Sequence, residues 1–249
     1  MFIPLHDHNS IEHVTQPFVN WALIAANFAV FIFVQNAGVG EAANASAYSY
    51  GLISSVVFDI KDLAPELQAV PDTFTLVSYA FLHGDWMHLI GNMLFLWVFG
   101  DNVEDAMGHI KYLIFYLACA AAAGLAYALA SFGSDVPLVG ASGATSGVVA
   151  AYLMLHPKVK IWVLALGRLP LRLSAQWVLG AWVIYQIVNA AIAEESQVAW
   201  SAHIGGLIAG MAVALLSGFV TRVTALREDA SLAAFYLISL ALGVLIVST

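Results

Sequence analysis

The chain has 249 residues, 61% of them hydrophobic and 10% charged, with a formal net charge of −8. Soluble domains carry about 25% charged residues, so a water-exposed globular fold is excluded and a membrane domain is expected. The acidic balance also sets nucleic acid aside as a partner, because phosphate binding needs clustered Lys and Arg.

Residues 1–17 contain no Lys or Arg, which argues against a cleavable signal peptide with its basic leading region. His6, Asp7, His8 and His13 read as a solvated cytoplasmic tail, since no HExxH or paired cysteine accompanies them as a metal site would require. Windows of about 19 residues then predict seven helices. They run from Phe18 to Gln35, Leu76 to Phe99, Tyr112 to Phe132, Ser142 to Leu155, Trp177 to Ala193, Val198 to Phe219 and Ala230 to Val247. The loop from Asn36 to Phe74 is rich in Val, Ile and Leu and is expected to lie partly in the membrane interface. The second helix is interrupted in its first half by His83, Gly84, Asp85 and His88. Cys119, the one cysteine, falls in an apolar run and reads as a packing residue.

Basic loops resist translocation. Lys111, Lys158, Lys160, Arg168, Arg172, Arg222 and Arg227 all fall on one side of the predicted bundle, and Lys61 alone on the other. That split places the N-terminus in the cytoplasm and the C-terminus outside. Ser142, His203, His88 and Asn92 then share the outer leaflet. The fourth helix, 14 residues from Ser142 to Leu155, spans about 21 Å at 1.5 Å per residue. The hydrocarbon core is about 30 Å thick, so a helix ending at the cytoplasmic surface starts below the outer one, with Ser142 at the bottom of a cavity.

Polar groups inside a membrane mark functional sites by default. A serine hydroxyl needs an adjacent base, usually imidazole, to become a nucleophile, and His203 is the natural candidate. The negative charge that develops on an attacked carbonyl needs donors placed in advance. The Ser142 N–H at a helix start, the Asn92 amide and His88 can serve, His88 and Asn92 sharing a face at i, i+4. Gly143 and Gly147 in helix 4, and Gly206 and Gly210 in helix 6, are small-xxx-small pairs that allow two helices to approach closely. Ser146 and Ser201 read as structural serines bonded to their own helices.

These residues carry a resemblance. Gly140-Ala141-Ser142-Gly143 resembles the GxSG motif of the rhomboid intramembrane serine proteases, Ala202-His203-Ile204-Gly205-Gly206 resembles the family's catalytic histidine motif, and His88 to Asn92 its HxxxN. The segment from Gly100 to Glu104 with Gly108 is similar as well, so the resemblance covers roughly residues 76 to 215. It implies an all-α, polytopic six-helix core, here residues 18–219, preceded by the short tail and followed by a linker and an additional C-terminal helix in 220–249. It also implies a Ser142–His203 dyad, an oxyanion site from Asn92, His88 and the Ser142 N–H, no cofactor and no metal. The partners would be transmembrane protein substrates in the lipid bilayer, cut near their extracytoplasmic ends, and a bacterial cytoplasmic membrane would be the location. Two positions depart from the family pattern: the first long loop has no Trp-Arg pair, and Ser146 stands where many members carry an aromatic against the catalytic histidine. What steadies His203 is left open. An inactive client-binding relative and a seven-helix transporter are the alternatives. The first would typically lack one of Ser142, His203 and Asn92, and the second needs polar groups through both leaflets.

Overall fold

Long apolar runs satisfy their backbone polar groups in lipid by forming helices. The computed structural model, which describes residues 2–165, 167–192 and 198–224 with side chains as far as 216, is accordingly mostly helical. Strand β1 (Phe2–Asp7) opens the chain, and α1 (Phe18–Ala29) runs on into a π-helical turn at Val30–Val34. The long loop carries α2 (Glu41–Tyr50), α3 (Ser54–Val57) and α4 (Thr75–Ser78). Next come α5 (Trp86–Phe95), a second π turn at Leu96–Gly100, α6 (Asp101–Met107) and α7 (His109–Ala130). Helix α8 (Ser142–Leu155), strands β2 (Lys160–Ala165) and β3 (Leu169–Ser174), α9 (Ala175–Ile192) and α10 (Trp200–Thr224) complete it. The predicted seventh helix and the linker before it lie outside the described residues except for the end of α10.

Helix α8 is the axis of the molecule, buried from Gly143 to Tyr152 and packed against α7 and α10. A Cβ on Gly206 would run into the Gly143 carbonyl, and one on Gly210 into that of Gly147. The two helices therefore meet backbone to backbone, as the spacing of the glycines predicts. Large apolar side chains such as Phe33, Ile110, Trp177, Ile192 and Ile208 face outward, a surface suited to lipid rather than water. Helices α7 and α9 are long and apolar enough to cross a membrane by themselves; Phe18–Val34, α8 and Trp200–Leu216 are apolar but shorter.

The expectation of a wholly α-helical chain with a solvated N-terminal tail is corrected. Strand β1 pairs antiparallel with β2, and β2 with β3, in the order β1-β2-β3. Ile161 and Val163 are buried on one face of β2 while Lys160 and Trp162 are exposed on the other, the alternation of a half-buried strand. Asp7 is buried, accepting hydrogen bonds from Tyr152 Oη at 2.6 Å and Asn102 Nδ2 at 3.0 Å. Trp162 Nε1 donates to His8 Nε2 at 3.0 Å. The tail is thus tied to α6 and α8 by polar contacts that hydropathy does not register.

The single second helix is corrected too. The chain leaves helical geometry at Leu82 and restarts after Asp85, whose carboxylate accepts the His88 N–H at 2.8 Å and caps α5. His83, one of the residues that interrupt the predicted helix, is buried.

At the end of the bundle that carries the sheet, Glu104 is fully buried and accepts the N–H groups of Val19 at 3.0 Å and Asn20 at 2.7 Å. Helix α1 begins after Pro17 with no side-chain cap of its own, so a residue 85 positions away satisfies its first turn. The His109 ring bonds the same carboxylate. Asn20 Nδ2 donates to Leu96 O at 2.9 Å in the second π turn, and Tyr112 Oη donates to Asn20 Oδ1 at 2.9 Å.

Asp105 accepts the backbone N–H groups of Glu12 at 3.0 Å and of His13 and Val14 at 2.7 Å, together with the His13 ring. Partial burial works against its charge, but those donors outweigh it and hold the carboxyl at about 2. A depressed folded value gives stability that is complete above the unfolded value of about 4 and fades as pH falls through the folded one. The segment 9–16 should therefore resist pepsin at about pH 5 and become cleavable as pH approaches about 2, whereas Asp105→Asn should be cut at both; equal resistance of the variant at about pH 5 would refute the anchor. Gly206→Ala should cost about 1–3 kcal/mol of stability, read as a lower Tm in detergent. Gly180→Ala, where a Cβ meets open space, is the control that should not fall.

Candidate active site

The loop before α8 is pinned on both sides. Leu138 exchanges two backbone hydrogen bonds with Leu52, and the Gly140 N–H donates to Tyr79 O at 3.0 Å. Gly140 has φ +122°, a conformation open mainly to glycine. Its lack of a Cβ is also needed because the His88 ring lies where that atom would stand, with Cε1 and Nε2 2.6 Å away. Ser142 is the first residue of α8, where the opening N–H groups have no acceptor within the helix and the dipole favours negative charge.

Helix α10, held against α8 by the glycine contacts, brings His203 to this position. His203 Nε2 lies 2.8 Å from Ser142 Oγ. On its other side, His203 Nδ1 lies 3.1 Å from Gln186 Oε1 of α9. The edge of Trp200 meets the imidazole at 5.7 Å between ring centroids and an interplanar angle of 85°. Ser146 points away from the chemistry, donating from Oγ to Ser142 O at 2.7 Å, which is the structural role its sequence position suggests.

Asn92 is buried, and its Nδ2 has no hydrogen-bond partner among the described residues. A buried amide donor without an acceptor is costly, and a developing oxyanion is the kind of group that would complete it. His88, one turn earlier on α5, lies against Gly140 and meets His83 edge to face at 5.1 Å. Among the described residues neither Asn92 nor His88 hydrogen-bonds to Ser142 or His203. The structure thus joins Ser142 to His203 directly and sets His88 beside the approach to the serine. His83 and Gln35 form a reciprocal pair: the His83 N–H donates to Gln35 Oε1 at 2.8 Å, and Gln35 Nε2 donates to His83 O at 2.9 Å. A cavity of about 500 Å³ opens beside them, lined in part by Glu41, Gly84 and Val139.

Three residues around the site were not singled out from the sequence: Gln186, Gln35 and His83 as a buried group. The available signal for Gln186 was an amide in an apolar helix, which requires a partner. Among the described residues there is no cluster of three or more His, Cys, Asp or Glu placed to hold a metal.

Residues 70–218, more than half of the chain, match the family model described as the Rhomboid domain. The chain belongs to the rhomboid family. It is similar to the mitochondrial Rhomboid protein 1 of Saccharomyces cerevisiae, 30% identical over 153 residues that make up 57% of this chain and 41% of that protein. RHOMBOID-like protein 5 of Arabidopsis thaliana is 26% identical over 139 residues, 56% of this chain and 42% of the relative. Rhomboid protease GlpG of Yersinia pseudotuberculosis is 26% identical over 141 residues, 55% and 46% of the two chains. The chain therefore spans less than half the length of these curated relatives.

Because Gly140 has both a left-handed φ and the His88 ring in its Cβ position, Gly140→Ala should lower stability by about 1–3 kcal/mol. Thermal unfolding of the purified protein in detergent reads this, and an unchanged Tm would remove the steric argument.

Proposed function

We propose that the protein is an intramembrane serine endopeptidase in which His203 and Ser142 form the catalytic dyad. The observation that carries this reading is the 2.8 Å approach of His203 Nε2 to Ser142 Oγ at the start of a helix. The imidazole takes the hydroxyl proton as Oγ attacks the substrate carbonyl. Charge gathers on the carbonyl oxygen, where the Ser142 N–H, Asn92 Nδ2 and His88 act as donors. His203 returns the proton to the leaving amine, giving an acyl-enzyme. A water then donates a proton to His203 and attacks the ester carbonyl, regenerating Ser142 and releasing the acid.

The substrates in this reading are transmembrane helices, cut near their extracytoplasmic ends. The described portion contributes six spans: Phe18–Val34, the segment from α5 through the second π turn, α7, α8, α9 and α10. The predicted seventh span lies beyond Thr224. The sheet end, with Lys158, Lys160, Arg168 and Arg172, faces the cytoplasm, which puts the N-terminus on that side of a bacterial cytoplasmic membrane. Ser142, one helix length from that end, then lies in the outer leaflet. A substrate helix hides its carbonyls in its own hydrogen bonds, so it must unwind locally before Ser142 can reach one.

The test is cleavage of a tagged transmembrane reporter by purified, detergent-solubilised protein. Wild type should cut it, and Ser142→Ala and His203→Ala should each slow cleavage by at least about a thousandfold. Cleavage by Ser142→Ala at the wild-type rate would overturn the assignment.

A further inference from the structure

A neutral imidazole carries one N–H, and the dyad proposed above works only if that proton sits on Nδ1, leaving the Nε2 lone pair for Ser142. Nδ1–H then needs an acceptor, and in a site walled by helices the protein must supply it. Gln186 Oε1, a carbonyl oxygen that accepts and does not donate, lies 3.1 Å from His203 Nδ1. Gln186 is 3% exposed, on a helix whose other buried residues, Ala175, Val178 and Leu179, lie at its far end. The rest of the middle of α9 is exposed or half-buried, with Trp182 packed on Phe95 at 5.7 Å between ring centroids, and Gln186 is its one buried residue there. Trp200 closes on the ring from within α10, itself met edge-on by Tyr185 of α9 at 5.8 Å.

From this geometry we infer that Gln186 is a positioning residue, which fixes the His203 tautomer and ring orientation through Nδ1–H. The inference rests on the Ser142–His203 reading and adds a third member to it. It also answers the absence of an aromatic at Ser146: the imidazole is steadied by an amide from α9 and an indole edge from α10, not by a ring on α8. Because the amide is neutral, it selects the tautomer and stabilises the imidazolium that forms in catalysis only through its dipole. A carboxylate in the same place would do both with a full charge.

The experiment measures two quantities over a range of pH, the rate at which a fluorophosphonate labels the active serine and the kcat and KM for reporter cleavage. It compares wild type, Ser142→Ala, His203→Ala, Gln186→Leu and Gln186→Glu. Gln186→Leu keeps the volume and removes the acceptor, and should lower both the labelling rate and kcat by roughly three- to tenfold with KM little changed. Gln186→Glu keeps the acceptor and adds charge. It should retain more activity than the leucine variant, with the acidic limb of the pH profile moved upward by about one pH unit or more. Labelling and cleavage that are present in wild type and absent in both Ser142→Ala and the His203→Ala control secure the underlying dyad. With those controls in hand, wild-type rates in Gln186→Leu across the pH range overturn the positioning role and leave the dyad standing. Should the leucine variant fail to fold, an unmoved acidic limb in Gln186→Glu overturns it instead. A wild type that neither labels nor cleaves removes both readings together.

Discussion

The contact between α8 and α10 is the constraint on which the site depends. In lipid there is no hydrophobic force between two apolar helices, so their association rests on close packing and on hydrogen bonds. Gly143 and Gly147 on one helix, and Gly206 and Gly210 on the other, let the backbones touch, with carbonyl oxygens where Cβ atoms would otherwise stand. That approach brings together two side chains 61 positions apart in the sequence. Cys119 on α7 fills the space beside Gly147, and Ala126 that beside Gly205. A third helix thereby seals the pair with small side chains instead of large ones.

The opposite end of the bundle is held by a different kind of interaction. Glu104 gathers the first turn of α1, Asn20 reaches the π turn after α5, and Asp7 ties β1 to Tyr152 near the end of α8. Glu104, Asn20 and Asp7 each have partners on a different element, which is the condition under which burying them is tolerable. The π turn at Leu96–Gly100 turns its Leu96 carbonyl to Asn20, and Gly100 leaves the room that Asn20 and Tyr112 occupy. Packing thus fixes the distance between α8 and α10, while this polar network fixes how α1, α6 and the sheet seat against them.

At the site the polar inventory is sparse and specific. His203 has Ser142 on one ring nitrogen and Gln186 on the other, with the Trp200 edge against its ring. Asn92 by contrast holds a buried amide donor with no acceptor among the described residues. A group satisfied on all sides is set in place; one left open is available to a ligand. The proposed mechanism uses that difference, with a fixed base and an oxyanion donor that is completed when the substrate carbonyl reacts.

The sequence by itself determined the apolar character of the chain and the approximate course of α1, α7, α8, α9 and α10, because a charge-free run of adequate length leaves the backbone no alternative to a helix. It also determined which glycines face a neighbouring helix, since a four-residue spacing puts them on one stripe. It named Ser142, His203, His88 and Asn92 as candidates, because polar side chains stand out in apolar runs. Only the tertiary structure decided that Phe2–Asp7 is a strand, since its pairing with Lys160–Ala165 is made across more than 150 positions and leaves no periodic trace. The helix that stops at Leu82 restarts after Asp85 through a local cap that hydropathy averages away. The partnership of Gln186 with His203 was likewise beyond reach, because it depends on the angle at which α9 meets α10, and that angle is set by packing among helices distant in the chain.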